Sequence, residues 1–172
     1  LQRRELEQVR EREEAQSRQL RELRLFDAIA DGSTDAIFAK DLDGIYLFGN
    51  REAARLLGTT AAQLVGSRDG GLFPPDEAAS LRQQDQVVMT TNAVASWEEI
   101  LSTADGPLTM LTTKGPLHDA SGKVVGVFGI ARDITPLRRE EQALRAREEI
   151  YSAIVSQAAD GIVLLDTETL RY

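Results

Sequence analysis

Few residues in this chain are of types that do covalent chemistry. There is one histidine, His118, and there is no cysteine. His118 sits in the turn-like run "LHDAS". A lone histidine in a turn lacks the converging base, nucleophile and oxyanion donors of a catalytic site. Without cysteine there is no thiolate catalysis, no disulfide and no cysteine–zinc site, and a cysteinyl-flavin is excluded. The glycine-rich runs "RDGG" and "VVGVFGIA" match neither phosphate-loop spacing. The adjacent acids Glu98–Glu99 and Glu140–Glu141 fit solvated faces better than a glycosidase pair. The inventory points away from an enzyme, predicts no metal site, and leaves binding, assembly or transmission.

The bulk properties narrow the partners. The chain has 172 residues, 42% apolar and 28% charged, enough for one domain with a real core plus extra helix. Its net charge is −8. Nucleic acids and anionic membranes select a basic face, so neither is an expected partner. No window approaches 18 consecutive apolar residues, and there is no signal-peptide pattern. The chain begins at Leu1 rather than Met and stops in a strand-like run. The expectation is a cytoplasmic piece of a longer protein, with any membrane anchor elsewhere in the parent.

The elements that must position any site read as follows. Residues 1 to 24 contain no Gly or Pro and carry seven Arg and six Glu, as a solvated or weakly coiled-coil helix does. From Leu25 the pattern becomes apolar and ends at Asp31–Thr34. "AIFAK" and "IYLFG" read as strands joined by the tight turn "DLDG". "NREAARLLG" and "TTAAQLVG" are short helices, each with an N-cap and a closing glycine. "PPDEAASLRQQDQVVMTTN" starts with prolines and acids, as a helix does. Three strands follow near residues 94–101, 107–119 and 123–134, the last two joined by "HDASG". This order makes an α+β domain with one sheet. A final helix starts with Thr135 as N-cap and Pro136 behind it. Residues 25–41 and 150–166 align without a gap, so a helix-then-strand unit begins again near residue 149.

The motifs "DAIFAKDLDGIYLFGN", "AARLLGTTAAQLVGS" and "TKGPLHDASGKVVGVFGIARDIT", in this order, resemble the PAS sensory domain of bacterial signalling proteins. The resemblance covers about Leu25 to Thr135. It implies a five-stranded antiparallel sheet with short helices on one face, flanked by long N-terminal and C-terminal helices. It divides the chain into a helical linker (1–24), a sensory domain (25–135), a signalling helix (136–156) and the truncated start of a second copy (157–172). It implies a sensor input to a histidine kinase or a cyclic-di-GMP enzyme. The family's haem-binding members carry a histidine on the long helix, here within residues 75–91, which has none. Histidine-ligated haem is therefore not expected, and no cofactor can be named.

The pocket candidates are Phe38, Phe48, Asn50, Phe73, Val87, Trp97, Leu111 and Phe128, with Leu64 and Val88 as further apolar positions. Strand alternation puts only one set on the helical side, and the sequence does not say which. Asp133, Thr135, Leu137 and Leu144 are candidates for relaying a change from the last strand into the final helix. Leu20, Leu23, Phe26 and Ile29 are candidates for a dimer helix. The strands look apolar on both faces, so the outer face is expected to be covered by the N-terminal helix or by a second subunit. Two functions fit: a small-molecule or conformational sensor, or a ligand-free dimerisation and spacing module.

Overall fold

The structure, a computed structural model, describes residues 2–157. The expected start of a second copy lies outside the described residues, apart from Gln157. The described chain falls into two units, the first ending at Asp133 and the second beginning at Ile134.

The first unit opens with α1 (Gln2–Gly32). This helix runs unbroken through Arg24 and Leu25, so the change there is one of composition rather than of backbone. Then come β1 (Ala36–Asp41), β2 (Tyr46–Gly49), α2 (Arg51–Leu56), α3 (Ala61–Leu64), a 3-10 turn (Asp69–Gly71) and α4 (Pro75–Thr91). β3 (Ala95–Thr103), β4 (Gly106–His118) and β5 (Val124–Asp133) complete it. The five strands form one antiparallel sheet in the order β2-β1-β5-β4-β3. The α+β expectation is met. The second unit is described by α5 (Thr135–Gln157), whose first turn holds Pro136.

Local chemistry explains the boundaries. In the β1–β2 turn, Asp41 Oδ1 accepts from the amides of Asp43 and Ile45, and Gly44 takes φ +78°. Asp119 does the same for β4–β5 through the amides of Ser121 and Lys123. Thr60 and Gln63 form a capping box at α3. α4 begins with Pro75 and the acids Asp76 and Glu77, and ends on Asn92 in the left-handed region.

Register decides which side chains face the helices. Ala36, Phe38 and Lys40 alternate along β1, and their neighbours across β5 are Ala131, Gly129 and Val127. On β4, Thr112 and Lys114 stand opposite Ala131 and Gly129. The core on this face includes Tyr46, Leu56, Leu64, Leu81, Leu101 and Met110. Two glycines of β5 are required by close approach. A Cβ on Gly129 would strike the ring of Phe38, and a Cβ on Gly126 would strike the backbone carbonyl of Lys40.

Backbone cannot move aside as a flexible side chain can. Gly126→Ala is therefore expected to lower the unfolding free energy by about 1–3 kcal/mol in urea titration. Gly70→Ala, with open space around its Cβ, should stay within about 0.5 kcal/mol.

Candidate functional site

The helical side of the sheet carries a buried chain of charge. Lys40 from β1 donates to Asp69 Oδ2 at 2.6 Å and to Asp85 Oδ2 at 3.0 Å. Lys114 from β4 donates to Asp85 Oδ1 at 2.6 Å and to the Leu81 carbonyl at 3.2 Å. The Tyr46 hydroxyl donates to Asp69 Oδ1 at 2.8 Å. All five of these residues are buried. The two ammonium groups balance the two carboxylates, and each carboxylate oxygen has a donor. The chain ties three strands to the 3-10 turn and to α4.

Burial costs an ion several kcal/mol, and only close pairing offsets it. Burial pushes the Lys114 ammonium below the ordinary lysine value, against the pull of Asp85. The Tyr46 phenol is held well above its usual value, first by burial and then by the neighbouring Asp69 carboxylate.

Beside this network lies a cavity of about 50 Å3. The sheet gives its floor, with Phe38, Lys40, Tyr46, Met110 and Thr112, and Phe73 and Leu81 line it from the helical side. A water needs at least about 10–15 Å3 of cavity, so this one holds at most about four waters, or an organic molecule of at most about four heavy atoms. Its wall is mostly apolar. Lys40 Nζ stands 4.8 Å from the Tyr46 ring centre and 5.3 Å from that of Phe38.

The structure separates the sequence candidates. Phe38 and Phe73 line the cavity. Phe48, Leu111 and Phe128 do not, because alternation places them on the outer face. Phe48 pairs with Ala39, whose other neighbour is Phe128, and Leu111 pairs with Arg132. Phe48 packs instead on Phe26 of α1, with ring centres 5.2 Å apart. Val87 is on the exposed side of α4, one residue from fully buried Val88. Trp97 faces the helical side but stands beside Lys114, 5.9 Å from its Nζ, rather than at the cavity.

Asn50 is a structural joint. Its Oδ1 accepts from the amides of Ile37 and Ala53, and its Nδ2 donates to the carbonyls of Ala30 and Asp35. Every hydrogen-bonding position of that buried amide is used, so none is left for a ligand.

The charged residues of the network escaped the sequence reading, although signals existed. Lys40 falls two residues after Phe38 on the same face of an otherwise apolar strand. Asp85 lies within the stripe Leu81, Gln84, Asp85, Val88 that α4 buries.

The relay and dimer candidates can be placed one by one. Asp133 ends β5 and Thr135 begins α5. On α5, Leu137 and Leu144 are exposed. On α1, Leu20, Leu23, Phe26 and Ile29 are exposed, Ile29 at 66%. The outer sheet face keeps Ile100, Leu111 and Ile130 exposed, so α1 covers it only in part. Arg132 at the end of β5 pairs with Asp35, its Nη2 2.8 Å from Oδ2. Among the described residues, no helix is long and apolar enough to cross a membrane.

Comparison with known proteins adds a family. A family model described as the PAS fold matches residues 30–139. The methanogenesis regulatory histidine kinase FilI of Methanothrix harundinacea is 30% identical over 145 residues, 84% of this chain and 16% of the kinase. A diguanylate cyclase of Vibrio cholerae is 30% identical over 118 residues, 67% of this chain and 35% of the cyclase. The chain thus spans well under half of either relative. Among solved structures, a VqmA–ligand–DNA complex from Vibrio cholerae is similar with a TM-score of 0.61 and 26% identity, over 75% of this chain and 58% of that one.

Three variants test the network. Lys114→Met strands half of Asp85 without a donor and should cost about 3–5 kcal/mol in urea unfolding. The charge-balanced pair Lys114→Met with Asp85→Leu should cost less than that single change. Tyr46→Phe should cost about 1.5–3 kcal/mol at pH 7, the value of a hydrogen bond to a charged group. Because the folded phenol titrates above the unfolded one, the unfolded chain releases that proton first as pH rises past about 10. The stabilisation from Tyr46 is therefore present below that pH and fades above it. Stability curves of the wild type and Tyr46→Phe should converge in alkali.

Proposed function

The chain belongs to the PAS-fold family, and on that premise we propose that it is a sensory module relaying a change at its cavity through α5 to an output domain beyond these residues. The proposed output is a histidine kinase or a diguanylate cyclase or phosphodiesterase, of which a histidine kinase and a diguanylate cyclase occur among its relatives. The observation that carries the reading is a short covalent connection. β5, whose Ala131 lines the cavity, ends at Asp133, and α5 begins at Thr135. One residue separates the strand from a helix of 23 residues, roughly 35 Å of rigid element.

A relay needs two discrete arrangements of the element that carries it. On α5, Leu137, Leu144 and Tyr151 recur every seven residues with Glu140 and Arg147 between them. Polar residues in a coiled-coil seam lower the stability of any single packing, which makes a second one easier to populate. Leu137, Leu144, Tyr151 and Ile154 are all more than half exposed. A second copy of the chain, paired through α1, α5 and the outer sheet face, is the partner that would cover such residues. The module itself carries out no reaction. Its setting in the parent is cytoplasmic, whatever anchors the parent elsewhere.

The second reading, a ligand-free dimerisation and spacing module, is favoured by the exposed apolar residues of α1 and α5 alone. Native mass spectrometry of the purified chain separates the two. The sensory reading expects a dimer carrying a bound small molecule in part of the population. A dimer that stays free of added mass after exposure to a metabolite extract supports the spacer. In the parent protein, Leu144→Glu should weaken dimerisation at least tenfold and shift output activity. Output that stays at the wild-type level removes α5 as transmitter.

A further inference from the structure

One buried hydroxyl at the cavity has no partner. Thr112 is 1% exposed, lines the cavity floor, and its Oγ1 makes no hydrogen bond. A buried hydroxyl proton left without an acceptor costs free energy comparable to a lost hydrogen bond. The other polar side chains at the wall are already engaged. Thr103 Oγ1 donates to the Gly106 carbonyl at 2.6 Å, and the Tyr46 hydroxyl donates to Asp69. Lys40 gives two donors to Asp69 and Asp85. What the wall offers a ligand is an apolar surface with a hydroxyl donor in its floor.

Charge sets a second limit. The ammonium nearest the cavity, Lys40, is bound to two carboxylates, and the network beside the cavity is neutral overall. An anion entering would find no free counter-ion and two buried carboxylates behind its only cation. A cation would find all four carboxylate oxygens taken. Burying an unpaired ion is far more costly than burying a neutral polar group.

We infer that the cavity takes a small uncharged organic molecule, apolar apart from one hydrogen-bond acceptor such as a ketone oxygen, which receives the Thr112 hydroxyl proton. This rests on the sensory reading and gives its ligand a chemical class. The cavity volume limits the molecule to about four heavy atoms unless a wall moves. Thr112 faces Ala131 of β5 across the ladder, so the ligand's polar end would sit on the strand that leads to α5.

Three probes of one shape isolate the chemistry: acetone, isobutene under pressure, and acetate. Each has four heavy atoms, and they differ in carrying a neutral acceptor, no acceptor, or a charge. They are titrated into the full 172-residue chain while the methyl signal of Met110, on the cavity floor, is followed by NMR. The acetone-to-isobutene affinity ratio should be about fivefold or more higher in the wild type than in Thr112→Val, the worth of one hydrogen bond. Acetate should leave the Met110 signal unmoved. Thr112→Val keeps the shape and removes the hydroxyl. It should melt no lower than the wild type and should lower the acetone-to-isobutene ratio by that factor.

An acetone-to-isobutene ratio that stays unchanged in Thr112→Val, or acetate binding at all, would overturn the inference. A ratio unchanged by the substitution removes the acceptor class and leaves a sensory cavity standing. No movement of Met110 with any probe removes both.

Discussion

The buried charge chain from Lys40 to Lys114 is the constraint on which the arrangement of this domain depends. Its members come from β1, β2, the 3-10 turn, α4 and β4, and its bonds are buried polar ties between sheet and helices. Asp85, fully buried on α4, accepts from both lysines. Placed in an apolar interior alone, any of these groups would be neutralised or expelled. Placed together they fix the height of α4 over the sheet, because charge-assisted bonds of 2.6–3.0 Å tolerate little displacement. A hydrophobic layer of the same volume could slide and repack more freely. The cavity exists in the space that this fixed spacing leaves unfilled.

The same network shapes what the cavity can do. Because the charges cancel within it, the wall beside it presents little net field, and selectivity passes to the apolar lining and to Thr112. Glycines of β5 complete the geometry. Gly129 lets the Phe38 ring lie against the sheet beside Lys114, and Gly126 lets β1 approach β5 closely. The strand that admits these close approaches is also the strand that runs into α5. Occupancy of the cavity and the position of β5 are thereby neighbouring variables, which is the physical content of calling the domain a sensor.

Much of the fold was legible because local chemistry and long-range order agree. Asp41 and Gly44 demanded a tight turn, Asn50 and either Thr59 or Thr60 were caps, and Pro75 with its acids began a helix; the structure forms all three features, with Thr60 as the second cap. The site was less legible, for a reason of symmetry. In a sheet whose two faces are both apolar, alternation gives two sets of residues and no label for which is inner. Phe38 and Phe128 look alike in the sequence, yet they sit on adjacent strands one register step apart and face opposite ways. Asn50 was a pocket candidate as a polar residue, while its four bonds are all to backbone. Lys40 and Lys114 were not among the candidates, since lysine is rarely buried unless paired. Their partners, Asp69 and Asp85, lie 29 and 45 residues away from Lys40, a separation no local pattern encodes.

The central claim is that the state of the cavity reaches α5. Xenon enters apolar cavities whatever their hydrogen-bonding chemistry, so it perturbs this one without assuming a ligand. Amide hydrogen exchange of the chain with and without xenon pressure tests the claim most directly. The account predicts altered exchange along β5 and in the first turns of α5, as well as at the cavity walls around Phe38 and Met110. Altered exchange at those walls, with β5 beyond Ala131 and all of α5 unchanged, would contradict it.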